Sequence, residues 1–348
     1  MSAVAVISQS ALIHNLSVVK NKSSAKIVAV VKANAYGHHL DLVTPLIENA
    51  DILAVSSLTE AQTLRQMTNR PILLLSGVFS DEELQQAIEL NCQIVVHHSL
   101  QIALINNTAH RLNVWVKIDT GMHRLGLLAG EYQQCLTSFK SNSLINIECI
   151  MSHFACADEL DNPMNQAQLQ IFEQSTDDEN NRSMANSAGV LSNLASHFDF
   201  VRPGIMLYGA SPFSDNDFDL QPVMQLSAPI TSIKTIQAGE AVGYGVTWRA
   251  DKATTIAVIG IGYGDGYPRH AKNGTPVLIN DTLCSLVGRV SMDMIAVNIS
   301  DIKASIGDIA ILWGDEKLRI ETVAEYSNTI SYELLTGVNN RVKFIRGA

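Results

Sequence analysis

The chain has 348 residues, which favours two domains over one, and its 47% apolar and 17% charged content is typical of a folded protein without long disordered segments. Its formal net charge of −10, without a long basic run, argues against nucleic acid as a partner. Its five scattered cysteines contain no CxxC pair, which argues against a disulfide framework or thiolate metal site, and no apolar run approaches the ~18 residues of a membrane span.

Strand-like and helix-like segments alternate along the first 200 or so residues. Residues 1–15 lack the basic and apolar regions of a signal peptide, which predicts a cytoplasmic location. Eight apolar runs then follow, at 27–31, 52–56, 72–76, 92–97, 113–119, 147–154, 183–187 and 198–209. Capping boxes predict helices starting at Ser57, with Glu60, and at Ser80, with Glu83; helical spacing recurs over 162–174 and 188–198.

This alternation predicts a (β/α)₈ barrel over residues 8–221, because parallel strands need crossover helices and are apolar on both faces. An open doubly wound sheet is the alternative; the count of eight favours the barrel, although the seventh run is weak. From residue 222 onward, strand-like runs are separated by Gly, Asp and Asn turns. We therefore expect a mostly β second domain over 222–348, joined by an N-terminal strand at 1–7.

Polar side chains gather at the predicted carboxyl ends of the strands, where barrel active sites lie. They are Lys32, Asn34, Tyr36, Lys117, Asp119, Arg124, His153, Ser187 and Arg202, with Gly189 two residues after Ser187. This cationic set suits an anionic ligand such as a phosphate. Lys32 follows a buried run, where desolvation lowers the pKa of an amine and makes it a nucleophile toward carbonyls. At this point, the carbonyl that reacts with Lys32 could equally belong to an aldolase substrate or to pyridoxal phosphate.

Nine stretches, in order from residue 30 to 337, carry a family resemblance. They are VVKANAYGHH, KIDTGMHRLG, MSHFACAD, NSAG, VRPGIMLYG, VGYGVTW, GYGDGYPR, GRVSMDM and SYELLTG. Together they resemble alanine racemases, which implies a pyridoxal-phosphate barrel, a β domain and a head-to-tail homodimer that interconverts L-alanine and D-alanine for peptidoglycan. One departure is YGHH where the family usually has YGHG, so we expect His39 to change the capping of the following helix.

The resemblance assigns a cofactor site. It implies that Lys32 forms an imine with pyridoxal phosphate, which accounts for an amine beside a buried strand. Around the cofactor phosphate it implies Tyr36, Tyr332, Ser187 and the backbone amides of Gly204 and Ile205. Arg202 matches the arginine facing the pyridine nitrogen, which we expect to stay unprotonated because a guanidinium does not readily give up a proton. The cofactor is then a weaker electron sink than it would be with an aspartate facing that nitrogen. His153 matches a residue that orients this arginine, and a satisfied core histidine is the alternative.

The resemblance also assigns the substrate side. Racemisation removes a proton from one face of Cα and returns one to the other face, so it needs a base on each face. The resemblance implies that Lys32 is the base for D-alanine and Tyr244 the base for L-alanine. It also implies that Tyr244 reaches into the site of the other subunit. Arg124 matches an arginine near both the phenolic oxygen of the cofactor and the substrate carboxylate. Met292 and Asp293 match residues that complete the substrate site. Lys117 matches a lysine carbamylated in many members, and an unmodified lysine paired with Asp119 is the alternative. Residues of the entry corridor are matched by Asp158, Tyr263, Arg269 and Arg289, for which surface charge or packing is the alternative.

Other functions fit these residues less well. A serine or broad-specificity racemase of the same fold would share the motifs, since the sequence does not reveal pocket volume. A fold-related decarboxylase would need a cysteine–aspartate pair that we do not find in the second domain. A non-catalytic cofactor carrier would not need Tyr244 or Asp293, and a cofactor-free aldolase would not need Arg202. No metal site is expected, because adjacent histidines on a strand face opposite ways.

Overall fold

The computed structural model describes residues 3–176, 180–192, 195–213 and 218–348. Strand β1 (Val4–Ile7) and helix α1 (Gln9–Lys22) precede a closed barrel of eight parallel strands in sequence order. The barrel strands are β2 (Lys26–Val30), β3 (Ile52–Val55), β4 (Ile72–Leu74), β5 (Cys92–Val96), β6 (Leu112–Lys117), β7 (Ile145–Met151), β8 (Arg182–Ser183) and β9 (Phe200–Val201). The predicted (β/α)₈ barrel is confirmed, and its weak seventh run is the two-residue strand β8.

Helical segments connect the barrel strands. They are α2 (Lys32–Tyr36), α3 (Thr44–Asn49), α4 (Leu58–Arg65), α5 (Asp81–Glu89), α6 (Ser99–Asn106), α7 (Ala129–Lys140), α8 (Pro163–Ser175) and α9 (Ser187–Leu191). The capping box predicted for α4 is present between Ser57 and Glu60. At α5, Ser80 caps the helix as predicted, but the Glu83 carboxylate accepts from the Phe79 N–H instead of completing the box at Ser80.

Two local predictions need correction. The helix expected over 188–198 ends at Leu191; residues 193 and 194 lie outside the described part of the chain, and 195–198 are not helical. His39 precedes the 3₁₀ turn Leu40–Leu42 without a side-chain bond to it. Its ring instead packs against Phe344, with 4.1 Å between centroids.

The second part of the chain is β-rich, as predicted. Its strands are β10 (Met224–Ile236), β11 (Ala241–Val242), β12 (Trp248–Arg249), β13 (Thr254–Ile259), β14 (Pro276–Ile279), β15 (Thr282–Leu286), β16 (Ile295–Asn298), β17 (Ile309–Trp313) and β18 (Lys343–Arg346), with helices α10 (Ile320–Tyr326) and α11 (Ser331–Gly337). Eight strands form one sheet in the order β13-β16-β15-β14-β17-β10-β1-β18, and β13 also pairs with β10. Strand β1 lies in this sheet, antiparallel to β10 and parallel to β18.

The barrel mouth meets the β-rich part through helix α11. Gly37, at the end of α2, has φ +79°, and a Cβ built on it would lie 2.2 Å from the Leu335 carbonyl oxygen. Only glycine allows so close an approach with this backbone. The contact brings Tyr332, on α11, to 6.1 Å from Tyr36 between ring centroids. No helix in the described ranges is both long and apolar enough to cross a membrane.

Candidate active site

The segment after β2 has an unusual backbone. Ala33, Asn34, Ala35 and Tyr36 have φ values of +53°, +51°, +58° and +53°, so α2 is largely a left-handed turn. A left-handed conformation costs an L-residue about 1–2 kcal/mol, and runs of non-glycine residues in it are rare. Such strain persists only where the surroundings hold it, commonly at functional sites. Here the turn sends Lys32 and Tyr36 toward one cavity.

That cavity, of about 580 Å³, opens at the carboxyl ends of the barrel strands. All nine residues predicted to contact the cofactor line it, as does Lys117. The nine are Lys32, Tyr36, Arg124, His153, Ser187, Arg202, Gly204, Ile205 and Tyr332. The barrel and α11 thus bring together side chains that are as far as 300 residues apart in the sequence.

One end of the cavity is lined by neutral hydrogen-bonding groups. Ser187 Oγ accepts from the Gly204 N–H at 2.8 Å, so the hydrogen of that hydroxyl can be donated elsewhere. A Cβ on Gly204 would lie 2.4 Å from Tyr36 Oη, which explains the glycine. Burial raises the pKa of Tyr36 to about 12 and raises that of Tyr332 further, so both phenols keep their protons at neutral pH. This end offers hydroxyl donors without a fixed charge.

Arg202 is buried, 4% exposed, and its guanidinium is held by the protein. It donates to Ser183 Oγ and to the Ser152 carbonyl, each at 2.5 Å. Burial lowers its pKa to about 10, so it remains charged at neutral pH. His153 Nδ1 lies 3.4 Å from Arg202 Nη2. Burial, Arg202 and Lys117 hold the pKa of His153 well below its usual value, so a neutral imidazole accepts from the guanidinium.

Two lysines of the cavity have lowered pKa values. Burial, with Arg202 and Arg124, lowers the pKa of Lys117 to about 8. Asp119 opposes this lowering of the pKa only in part: within the described residues, its carboxylate accepts from the Gly121 and His123 N–H groups and makes no ion pair with Lys117. The alternative pairing is therefore not seen. Burial and Arg124 also lower the pKa of Lys32, against an opposing effect of Glu60.

Other predicted site residues lie away from this cavity. Tyr244, in the 3₁₀ turn Tyr244–Val246, is 71% exposed, and Met292 is 52% exposed. The Arg289 guanidinium lies against Gly245, and Asp293 pairs with Arg341 at 2.6 Å. Of the site residues predicted in the second domain, Tyr332 lines the cavity of its own chain. Six others do not: Tyr244, Tyr263, Arg269, Arg289, Met292 and Asp293. Asp158 is exposed and helps to raise the pKa of Tyr332, so it lies near the cavity rim.

The structure adds residues that sequence reasoning did not select. Glu333 and Thr336 border the cavity beside Tyr332, and Asn186 borders it beside Ser187. Their adjacency to selected residues was the available signal. Glu60 was identified only as a helix cap, yet its carboxylate reaches the Ala33 N–H at 2.6 Å. Nothing in the sequence relates positions 33 and 60.

Comparisons with known proteins cover nearly the whole chain and all indicate the same family. The family models described as alanine racemase, N-terminal domain, and alanine racemase, C-terminal domain, match residues 7–212 and 223–346. The alanine racemase of Vesicomyosocius okutanii subsp. Calyptogena okutanii is 65% identical over 346 residues, 99% of both chains. The biosynthetic alanine racemase from Pseudomonas aeruginosa is 41% identical, with a TM-score of 0.96 over 100% of this chain and 99% of that one. The alanine racemase from Bartonella henselae, described with covalently bound pyridoxal phosphate, is 29% identical, with a TM-score of 0.90 over 100% of both chains.

Proposed function

The chain belongs to the alanine racemase family, and we propose that it interconverts L-alanine and D-alanine with pyridoxal phosphate as its cofactor. The observation that carries this proposal is the single cavity in which Lys32, Arg202 and the neutral donors around Gly204 converge. A serine or broad-specificity racemase is not favoured, because the named relatives are alanine racemases. The proposed role is to supply D-alanine for peptidoglycan in the cytoplasm.

The residues present fit pyridoxal phosphate, which supplies an aldehyde that captures amines and a ring that withdraws electrons from the substrate Cα. Lys32 offers a half-buried amine with a lowered pKa, as a nucleophile toward an aldehyde requires. The Ser187 hydroxyl, the Tyr36 phenol and the close backbone approach at Gly204 fit a phosphate. Arg202, charged and held by Ser183 and Ser152, would face the ring nitrogen and leave it unprotonated.

We propose that two bases act on opposite faces of Cα. Lys32 Nζ takes or returns the proton on the face used by D-alanine, and Tyr244 Oη of the partner subunit does so for L-alanine. Arg124, at the cavity edge, binds the substrate carboxylate, with Met292 and Asp293 of the partner subunit completing the pocket. Asp158, Tyr263, Arg269 and Arg289 form the proposed corridor.

The proposed head-to-tail homodimer is supported by where the second base lies. Tyr244 is 71% exposed and does not line its own chain's cavity, so it needs a second copy to reach one. Several large apolar side chains of the same domain are also exposed: Val246, Tyr263, Met292 and Met294. Tyr and Met side chains are enriched at protein–protein interfaces.

Lys117 is the proposed site of carbamylation. With a pKa of about 8, part of its amine population is neutral near pH 7 and can add CO₂ with loss of one proton. The carbamate formed would be an anion between Arg202 and Arg124, in place of a third cation. Removing that like-charge repulsion supports the modification.

A time course with purified protein, pyridoxal phosphate and L-alanine, followed with a D-amino-acid-specific oxidase, tests the function. L-serine is run in parallel. Rapid D-alanine formation with little D-serine is the expected result. Comparable D-serine formation would support the broad-specificity alternative, and no D-product from either substrate would refute the racemase assignment.

A further inference from the structure

The left-handed turn Ala33–Tyr36 carries two cavity residues and needs support from outside itself. Several of its bonds are local: the Gly37 N–H donates to the Ala33 carbonyl, and the His39 N–H donates to the Asn34 carbonyl. These bonds close the turn but do not attach it to the barrel. The first amide of the turn, at Ala33, donates instead to Glu60 Oε1 at 2.6 Å.

Glu60 binds two separate segments at once. Its second oxygen, Oε2, accepts from the N–H groups of Ser56 and Ser57 at 2.9 and 3.2 Å, at the start of α4. Hydrogen bonds to an ionised carboxylate are stronger than neutral ones. One half-buried carboxylate thus joins the end of β3 and the cap of α4 to the turn after β2.

Helix capping alone does not account for this arrangement. Glu83 occupies the same position of α5, the third residue of a helix capped by serine, and its carboxylate accepts from the Phe79 N–H at 2.7 Å. It is not among the residues that border the cavity or hold the turn. The bond to Ala33 is therefore an addition to the cap of α4.

The carboxylate of Glu60 also acts on the amine that the turn presents. The charges facing Lys32 are Arg124, from the loop after β6, Lys117, at the end of β6, and Glu60, from α4. Glu60 is the anion of this group, and it opposes the effect of Arg124 on the pKa of Lys32.

We propose that Glu60 is a positioning residue of the active site, whose carboxylate fixes the left-handed turn to α4 and thereby holds Lys32 and Tyr36 in the cavity. The inference rests on the proposed function, in which Lys32 binds the cofactor and acts as a base. Glu60 touches neither the substrate nor the reacting atoms in this role; it acts through the turn.

Hydrogen–deuterium exchange on the full chain saturated with pyridoxal phosphate tests the proposal. The variants are Glu60→Ala, Glu60→Gln and, as a matched cap control, Glu83→Ala. Glutamine keeps the size and one acceptor oxygen, so it cannot accept on both sides, and it carries the test if the alanine variant does not fold. In Glu60→Ala, the Ala33 amide should exchange at least about tenfold faster, as expected for a lost bond to a charged group. In Glu60→Gln it should exchange faster by a smaller factor, because a neutral acceptor that serves one side binds more weakly than the carboxylate. The kcat of both Glu60 variants should fall about tenfold with a smaller change in KM, while Glu83→Ala leaves both exchange at 32–39 and kcat unchanged.

Wild-type exchange at residues 32–39 in the Glu60 variants would overturn the proposal. So would a loss of melting temperature equal to that of Glu83→Ala with kcat unchanged, because that is the result of capping alone. Absence of racemase activity in the wild-type protein would instead refute the proposed function. Hydrogen–deuterium exchange does not depend on turnover. It therefore tests whether Glu60 fixes the turn even if the protein has no racemase activity.

Discussion

At the scale of single residues, the cavity sets the charge of each ionisable group by burial and by crowding of cations. Arg202 stays charged with a pKa of about 10, whereas Lys117 titrates near a pKa of about 8. His153, between these cations, is kept neutral. His38, which is fully buried, lies behind the turn, with its ring 4.6 Å from that of Tyr208 between centroids.

Removing either proposed base should separate cofactor binding from proton transfer. Lys32→Ala should lose covalent attachment of the cofactor and racemisation together. Tyr244→Phe should lower kcat by about 10²- to 10⁴-fold, the usual contribution of a general base, and keep the cofactor absorbance. Steady-state kinetics and absorption spectra of both variants measure this. Full turnover by Lys32→Ala, or loss of the cofactor from Tyr244→Phe, would show that the roles are misplaced.

His38 should make the protein less stable in mild acid. Burial lowers its pKa from 6.5 to about 4, so the unfolded chain takes up the proton at a higher pH than the folded chain does. Stability from the neutral imidazole is therefore complete above pH 6.5 and is lost as the pH falls from 6.5 to about 4. The loss should reach about 3 kcal/mol in the free energy of unfolding. Urea unfolding at several pH values measures it, and a His38→Gln variant with an equally steep profile would contradict it.

At the scale of elements, the site depends on the contact between turn α2 and helix α11. The turn carries Lys32 and Tyr36, the helix carries Tyr332, and Gly37 is where their backbones meet. A Cβ at Gly37 would run into the Leu335 carbonyl. A larger residue at this position would therefore push α11 away from the turn, and Tyr332 with it.

Gly37→Ala should therefore damage both stability and cofactor binding. We expect a loss of more than about 2 kcal/mol in the free energy of unfolding, from the positive φ and the clash together, and a raised Kd for pyridoxal phosphate. Gly239→Ala is the control, because its φ is +85° but nothing lies within 4 Å of its Cβ. Urea unfolding and cofactor titration compare them. Equal losses in the two variants would mean that the contact with α11 contributes nothing.

At the scale of the whole molecule, one chain provides a cavity and, elsewhere on its surface, Tyr244, the proposed second base. If the cavity of one subunit is completed by Tyr244 of the other, each subunit contributes its own residues to both sites. The cavity of an isolated chain is then open on the side where the substrate binds.

Mixing two inactive variants tests this arrangement. When Lys32→Ala and Tyr244→Phe proteins are dissociated, mixed in equal amounts and reassociated, half the dimers should be mixed, with one intact site each. Activity should then recover to about a quarter of the wild-type value, as follows for a symmetric dimer with shared sites. The same mixture without dissociation is the control. No recovery, with mixed dimers verified by mass spectrometry, would place both bases in one chain.

The sequence by itself determined the order of the eight barrel strands, the β-rich second part and ten of the residues that line the cavity. Apolar periodicity and capping residues are local signals, which the chain carries wherever it folds. The ordered motifs identified Lys32, Arg202 and Tyr332 although the chain separates them by up to 300 residues.

Only the tertiary structure decided how those residues are held. The left-handed turn at Ala33, the bond from its amide to Glu60 and the missing pair between Lys117 and Asp119 each depend on a partner from another segment or a local loop geometry. The same holds for the early end of α9 and for His39, which packs on Phe344. Residue patterns predict such features poorly, because their free energy comes from contacts between segments that become neighbours only when the barrel closes and the second domain docks on it.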